Sequence, residues 1–227
     1  MSYRVVEIFD SIDGEGIRTG ALASFIRLAG CNLRCTYCDT LYALYGEQEP
    51  CMYEEMEADE ILRRMNRNYM RVTLTGGEPL LAPGADLLVN RLADEGFEVN
   101  IETNGAVDVH SFLERIRRKE RVFFTVDYKL PGSGMEHKML KSNFRGLRSC
   151  DVIKFVCADL HDMEVMKEKI REFTAEGKQP HMFAGAVFES LEPKALAAFL
   201  QAHPCLRDVR LQMQIHKLIW APDAKGV

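Results

Sequence analysis

Three cysteines fall within eight residues, Cys31, Cys35 and Cys38, in the stretch Gly30-Cys31-Asn32-Leu33-Arg34-Cys35-Thr36-Tyr37-Cys38-Asp39-Thr40. Their C-x3-C-x2-C spacing lets three thiolates from one loop converge on a single metal centre. A structural zinc site normally takes a fourth protein ligand, and the nearest further cysteine is Cys51. A four-iron cluster held by three cysteines instead leaves one iron open to an exogenous ligand, which departs from the four-cysteine rule of electron-transfer clusters. Both readings stand on spacing alone. The remaining cysteines, Cys150, Cys157 and Cys205, are isolated and read as small core residues or bystanders. Seven cysteines, an odd number, in a chain that opens Met1-Ser2-Tyr3-Arg4 without an apolar signal core predict no disulfide framework and an intracellular, cytoplasmic setting.

Other residues carry chemical potential. Arg27 lies inside the apolar run Ala23–Leu28, where an unpaired charge is costly to bury, and its planar fork matches a carboxylate. The string Thr75-Gly76-Gly77-Glu78-Pro79 ends a short β-branched run. Its glycines permit close backbone approach, although such strings standing alone are mostly turns. Lys129 and His216 read equally well as ligand contacts or as ordinary polar residues.

These residues need a scaffold. Apolar or β-branched runs recur at Val5–Phe9, Ala23–Leu28, Val72–Leu74, Val99–Ile101, Val122–Val126, Val152–Val156, His181–Val187 and Val209–Ile215. Helical spacing occupies Ala58–Met65, Ala85–Ala93, Val109–Arg118, His161–Thr174 and Pro193–Ala202. Strand and helix in alternation predict one α/β domain over 1–227 with a largely parallel sheet of about six strand–helix units, fewer than the eight of a closed barrel. A partial open barrel and a doubly wound sheet both satisfy the pattern. The long irregular stretches Asp39–Met56 and Leu130–Lys138 fall where strand ends place functional loops.

Composition narrows the class. The 227 residues are 47% hydrophobic and 28% charged, which excludes disorder. A formal net charge of -5 gives no basic footprint for nucleic acid, and no apolar run is long enough for a bilayer. The run Arg115-Ile116-Arg117-Arg118-Lys119 reads as a solvated helix end, and Met163 and Met166 as core filler.

The cysteine spacing, with Tyr37 just before the third cysteine, resembles the signature of the radical S-adenosylmethionine superfamily. Thr75–Pro79 is similar to that superfamily's second motif. Ser11-Ile12-Asp13-Gly14-Glu15-Gly16, Phe25-Ile26-Arg27-Leu28-Ala29-Gly30, Asp39-Thr40, Asp127-Tyr128-Lys129 and Gln214-Ile215-His216-Lys217 resemble, more narrowly, the 7-carboxy-7-deazaguanine synthase family. That resemblance implies a partial, open TIM-like barrel. It implies a [4Fe–4S] cluster on Cys31, Cys35 and Cys38, with S-adenosylmethionine held at Tyr37, Cys38, Asp39, Gly77 and Lys129. It implies magnesium at Thr40 and a pterin substrate at Ile12, Asp13, Gly14, Glu15, Arg27 and Thr75. The implied reaction contracts the ring of 6-carboxy-5,6,7,8-tetrahydropterin with loss of ammonia, on the way to queuosine or other deazapurines. A homodimer and a flavodoxin or ferredoxin as reductant are implied as well. The chain departs from the family at Asp13, where glutamine is usual, and in its tail, where some members place a terminal carboxylate near substrate.

Three other readings compete, one of them a simple electron carrier, against which three clustered cysteines and an enzyme-sized α/β domain argue. Asp13-Gly14-Glu15-Gly16-Ile17-Arg18 is reminiscent of glycyl-radical activases, but Glu15 stands where they carry proline and Asp39-Thr40 where they carry His-Asn. A non-catalytic zinc module would use Cys51 and leave Arg27, Thr40 and the Gly76-Gly77 turn without a role.

Overall fold

The computed structural model describes residues 1–44, 51–175, 180–221 and 224–227. Part of the irregular stretch 39–56 and part of the tail, Pro222 and Asp223, lie outside the described residues.

A single nine-stranded sheet runs through the chain. Its strands are β1 (Ser2–Ile12), β2 (Leu22–Leu28), β3 (Glu54–Glu57), β4 (Arg71–Gly76), β5 (Glu98–Thr103), β6 (Val122–Tyr128), β7 (Val152–Cys157), β8 (His181–Ala186) and β9 (Val209–Gln212). They lie in the order β3-β1-β2-β4-β5-β6-β7-β8-β9. From β2 to β9 every neighbouring pair is parallel, whereas β1 is antiparallel to both β2 and β3. Eight of these strands answer the eight runs of the sequence. The ninth, β3, is a charged Glu-Glu-Met-Glu edge strand with one buried side chain, Met56, which leaves no hydrophobic run to detect.

Helices α1 (Ala58–Arg64), α2 (Ala85–Asp94), α3 (Val109–Glu114), α4 (Lys141–Arg145), α5 (Leu160–Thr174), α6 (Pro193–Ala202) and α7 (His216–Ile219) connect or follow the strands. Each predicted helix is present. Helix α3 stops at Glu114, short of Arg118, and α4 and α7, of five and four residues, are too short to show a period. Helix starts follow local chemistry. The Asp108 carboxylate accepts from the backbone N–H of His110 and Ser111, and Asp159 caps α5 through Asp162 N–H. Met163 and Met166 are buried in the core, and Arg115 and Arg117 pair with Asp86 and Asp94 at the surface.

Alternation along the parallel strands sorts two environments. Val72, Leu74, Val99, Ile101, Phe124, Val126, Ile153 and Phe155 join the hydrophobic core with Leu88, Leu92, Phe112 and Ile170 from the helices. The alternate positions are largely polar: Thr73, Thr75, Asn100, Glu102, Thr125, Asp127 and Lys154. These meet one another across the opposite face, as Thr125 Oγ1 donates to Asn100 Oδ1 at 3.1 Å and Asp127 pairs in register with Lys154. Residues from β1, β2 and the segment after β9 line one cavity. The sheet is therefore curled into an open barrel whose inner face is polar.

The β1–β2 connection fills the lower part of that barrel. Gly16, at φ +70°, sits where a Cβ would be 3.6 Å from Val152 and 3.7 Å from Thr125, and its N–H donates to Gln212 Oε1 at 2.8 Å. Arg18 stacks on Phe123 with 3.9 Å to the ring centroid. Asp13, 1% exposed, accepts from Thr73 Oγ1 at 3.1 Å. Burial pushes its carboxyl up to about 6, against the pull of the Thr73 hydrogen bond. A carboxyl raised in the folded state adds stability below its unfolded pKa and loses it as pH rises through the folded value. Asp13→Asn is therefore expected to be neutral below pH 4 and stabilising at pH 8, by up to about 3 kcal/mol for a shift from 3.8 to about 6. Urea denaturation at the two pH values checks this, and equal effects at both would remove the buried-charge account.

Candidate functional site

The loop after β2 carries the three cysteines and is tied to the ends of three neighbouring strands. Gly77 N–H donates to Leu28 O at 3.1 Å and Glu78 N–H to Gly30 O at 2.7 Å, which binds the turn after β4 to the loop entrance. Thr36 donates through its N–H to Ser133 O at 3.1 Å and through its hydroxyl to Gly132 O at 2.6 Å, beyond β6. Asn104, after β5, donates to Asn32 Oδ1 at 2.7 Å and reaches Cys31 Sγ at 3.6 Å.

Gly76 and Gly77 are required by backbone contact. A Cβ on Gly76, at φ +150°, would lie 2.2 Å from Leu28 O, and one on Gly77 would lie 2.3 Å from Gly30 O and 2.9 Å from Cys31 Cβ. The sequence reading assigned these glycines to ligand approach. Both border the cavity, but the close neighbour that excludes a side chain is the cysteine loop itself. Glu78 reinforces the joint. Its carboxylate, 1% exposed, accepts from Leu80 N–H at 3.0 Å, Thr103 Oγ1 at 2.8 Å and Asn104 N–H at 2.7 Å. Burial pushes it up to about 7 despite those donors. Glu78 and Asn104 position the cysteine loop and carried no sequence signal of their own beyond the turn string.

Cys31, Cys35 and Cys38 are unpaired, partly buried and face one cavity of about 680 Å³. Among the described residues no three His, Cys, Asp or Glu side chains gather closely enough for one metal ion. Three thiols on one cavity, with no fourth cysteine among its described lining residues, fit a cluster that leaves one iron open. Cys51 does not line the cavity, and its thiol points to the backbone oxygen of Met52.

The cavity walls collect most of the sequence-predicted residues: Ile12, Gly14, Glu15, Arg27, Tyr37, Asp39, Thr40, Thr75, Gly77 and Lys129. Asp13 is the exception, since its carboxylate lies among the barrel interior contacts with Thr73. Arg27 Nε donates to Glu7 Oε1 at 2.6 Å, and the same oxygen accepts from Tyr42 OH at 2.8 Å. Glu7 faces Arg27 across the β1–β2 register and is the partner that makes its burial tolerable. With Nε occupied, the outer Nη pair of Arg27 is left for a carboxylate. Burial works against that guanidinium, but Tyr42, Glu7 and Glu102 outweigh it and raise its pKa.

Thr40 donates to Asp39 Oδ1 at 2.9 Å, which leaves the hydroxyl's lone pairs for a hard cation. Asp39 is held below the usual range by that bond and by Lys217, 3.6 Å from Oδ2, against the opposing effect of burial. Tyr37 OH donates to Val156 O at 3.2 Å. His216 packs 3.4 Å from the position of a Gly14 Cβ, and burial lowers its pKa, which keeps the ring neutral at pH 7. In the tail, Val227 lines the cavity and Lys225 Nζ stands 4.3 Å from the Tyr42 ring centroid.

At the cavity floor Glu15 and Lys129 meet three side chains that the sequence reading did not single out, Asp127, Lys154 and Glu102. Lys129 Nζ bonds Asp127 Oδ2 at 2.6 Å, and Lys154 Nζ lies 3.0 Å from Asp127 Oδ1 and bonds Glu15 Oε2. Glu102, beside Thr75, is pushed up to about 7 by burial and by Glu15.

Residues 25–129 match the family model described as the Radical SAM superfamily. The chain is 44% identical, over the full length of both proteins, to a 7-carboxy-7-deazaguanine synthase of Clostridium acetobutylicum. It is 40% identical to the corresponding enzyme of Chlorobaculum tepidum, covering 98% of this chain and 96% of the relative. The chain belongs to the 7-carboxy-7-deazaguanine synthase family. The solved structure of QueE from Escherichia coli superposes with a TM-score of 0.71 at 25% identity over 94% of each chain. Streptococcus suis SuiB, solved with S-adenosylmethionine bound, shares the fold at a TM-score of 0.56 and 15% identity, over 80% of this chain and 44% of that one. The family places the chain among radical enzymes and makes the open barrel the expected architecture. The activase reading is set aside by these full-length relatives.

Gly77→Ala is expected to push the β4 turn off the cysteine loop. Overpacking of this kind costs about 2–3 kcal/mol. The melting temperature should fall by roughly 5–10 °C. Iron bound per chain after anaerobic reconstitution should fall with it. Full iron content in a variant of unchanged melting temperature would show that the joint tolerates a methyl group.

Proposed function

We propose that this chain catalyses the ring contraction of 6-carboxy-5,6,7,8-tetrahydropterin to 7-carboxy-7-deazaguanine with release of ammonia. The observation that carries the reading is the full-length 44% identity to a synthase of that name, joined to a cavity that brings the cysteine loop, Arg27 and Glu15 together. Substrate minus ammonia has the composition of the product. The transformation is thus redox-neutral overall, which suits a cofactor regenerated each cycle.

The residues fit a [4Fe–4S] cluster with one open iron and S-adenosylmethionine. When bound, these supply a 5′-deoxyadenosyl radical that removes hydrogen from C6. The chain's own groups bind and orient. Arg27 offers its outer fork to the pterin carboxylate, and the Thr75 hydroxyl stands one strand away at the same register. Glu15 accepts from the amino edge of the pterin, with the Ile12–Gly14 backbone along its side. Tyr37, Asp39, Gly77 and Lys129 flank S-adenosylmethionine. Thr40, supported by Asp39, offers a hydroxyl oxygen to magnesium, a cation that takes its remaining ligands from substrate and water.

Further parts of the reading rest on separate support. The continuous sheet from Ser2 to Gln212 supports one domain. Apolar side chains exposed beside the last edge strand, Leu211, Met213, Leu218 and Ile219, support a homodimer. An air-labile cluster that needs a low-potential electron supports a cytoplasmic enzyme reduced by a flavodoxin or ferredoxin. Among the described residues no helix is long and apolar enough to cross a membrane.

The test is anaerobic turnover of reconstituted protein with dithionite, S-adenosylmethionine, magnesium and the tetrahydropterin, followed by mass spectrometry. Deazaguanine product that disappears in Cys35→Ala is the expected result. Formation of 5′-deoxyadenosine without deazaguanine would overturn the substrate assignment. Arg27→Lys, which replaces a fork by a point charge, should raise KM for the pterin by roughly 10–100-fold. An unchanged KM would take the carboxylate away from Arg27.

A further inference from the structure

Lys154 lies on β7 with its ammonium turned to the barrel interior, only 13% of its side chain exposed. Three carboxylates surround it. Glu15 Oε2 is hydrogen-bonded to Nζ, Asp127 Oδ1 is 3.0 Å away, and Glu102 lies close enough to act on its charge. Burial disfavours the charged amine, yet Asp127, Glu15 and Glu102 together outweigh it and raise its pKa. Asp127 is in turn held below the ordinary range by Lys129 and Lys154, against the effect of its burial.

The geometry gives this cation a direction. Glu15 uses Oε2 for Lys154, while Oε1 has no protein partner among the described residues. On its other side Lys154 meets Asp127, whose second oxygen holds Lys129, the lysine that acts electrostatically on Cys35. Lys154 therefore links Glu15, on the β1–β2 connection, to the Asp127 and Lys129 pair at the end of β6. We propose that Lys154 is a positioning residue for the substrate: it pins one oxygen of Glu15 so that the other faces the pterin, and joins Glu15 through Asp127 to Lys129. The proposal rests on the reading of the cavity as a pterin site.

Removing the ammonium leaves Glu15, Asp127 and Glu102 facing one another without their common cation. Like charges at that spacing repel, so Glu15 is released from its fixed orientation. A residue that acts only through Glu15 has no effect once Glu15 has lost its charge. That property separates positioning from general structural support.

The experiment is a double-mutant cycle on the full-length protein, with 6-carboxypterin as the ligand and anaerobic calorimetry as the readout. Lys154→Met and Glu15→Gln are each expected to weaken binding by roughly 10–100-fold, the range for a hydrogen bond to a charged group. The double variant is expected to bind no worse than the weaker single variant. In turnover, Lys154→Met should raise KM for the tetrahydropterin far more than it lowers kcat. Lys154→Arg, which keeps the charge, should recover most of the affinity. Lys154→Gln replaces Lys154→Met in the cycle if the latter melts well below the wild type. Losses that simply add in the double variant, or unchanged affinity in a folded Lys154→Met, would overturn the proposal. So would a folded Lys154→Arg as weak as Lys154→Met. Wild-type protein that binds no pterin at all would instead overturn the proposed function, a separate result.

Discussion

The joint between the ends of β2 and β4 sets the position of everything above the sheet. Two successive residues there, Gly76 and Gly77, approach the Leu28–Gly30 backbone so closely that a single methyl group would meet a carbonyl oxygen at 2.2–2.3 Å. The parallel register that continues into this joint places Arg27 opposite Thr75 and Leu28 opposite Gly76. One contact therefore fixes two distances: that between the arginine fork and the threonine hydroxyl, and that between the β4 turn and the first cysteine. Glu78 extends the constraint to β5 through Thr103 and Asn104, and Asn104 returns it to the loop at Asn32 and Cys31. A cysteine loop without regular secondary structure is thus held to the sheet, where a site is more precisely placed than on loops alone.

A second constraint is electrostatic. An ordinary eight-stranded barrel fills its interior with branched apolar side chains. Here the interior carries Asp13, Glu15, Glu102, Asp127, Lys129 and Lys154, because the β1–β2 connection takes up space below and an open cavity takes up the rest. Buried charges are tolerated only in compensating sets. The effect of partners is visible in their carboxylates: Asp127, between both lysines, is held low against its burial, while burial pushes Asp13 and Glu102 up to about 6 and about 7.

Much of this was legible in the sequence, and the failures have physical causes. Most of the strand runs are visible because their helix-facing residues are apolar or β-branched. Alternation along the strands hides half of the site: Glu102, Asp127 and Lys154 occupy the polar positions of strands recognised by their apolar ones. A period-two reading of the polar residues would have placed them on one face. Strand β3 is invisible because an edge strand with one buried side chain needs no hydrophobic pattern. Arg27 was recognised as an anomaly inside an apolar run, but its partner Glu7 could not be, since cross-strand pairing depends on register. At Asp13 the motif could assign the backbone to the pterin but not the direction of the side chain, since successive residues of an extended segment point opposite ways. Gly14 borders the cavity and Asp13 turns to Thr73.

The size and walls of the cavity also bear on what kind of substrate this barrel admits. Here Glu15 and Gly14 enter from the β1–β2 connection, His216 meets Gly14 from the far edge, and Lys225 to Val227 lie over Tyr42, Glu7 and Phe9. First and last segments of the chain thus share the rim, and the space between them, about 680 Å³, is of the order of small-molecule sites. Such a volume suits a methionyl nucleoside with a bicyclic pterin. One wall of that space is closed by Glu15, whose carboxylate reaches from the β1–β2 connection to Lys154 on β7.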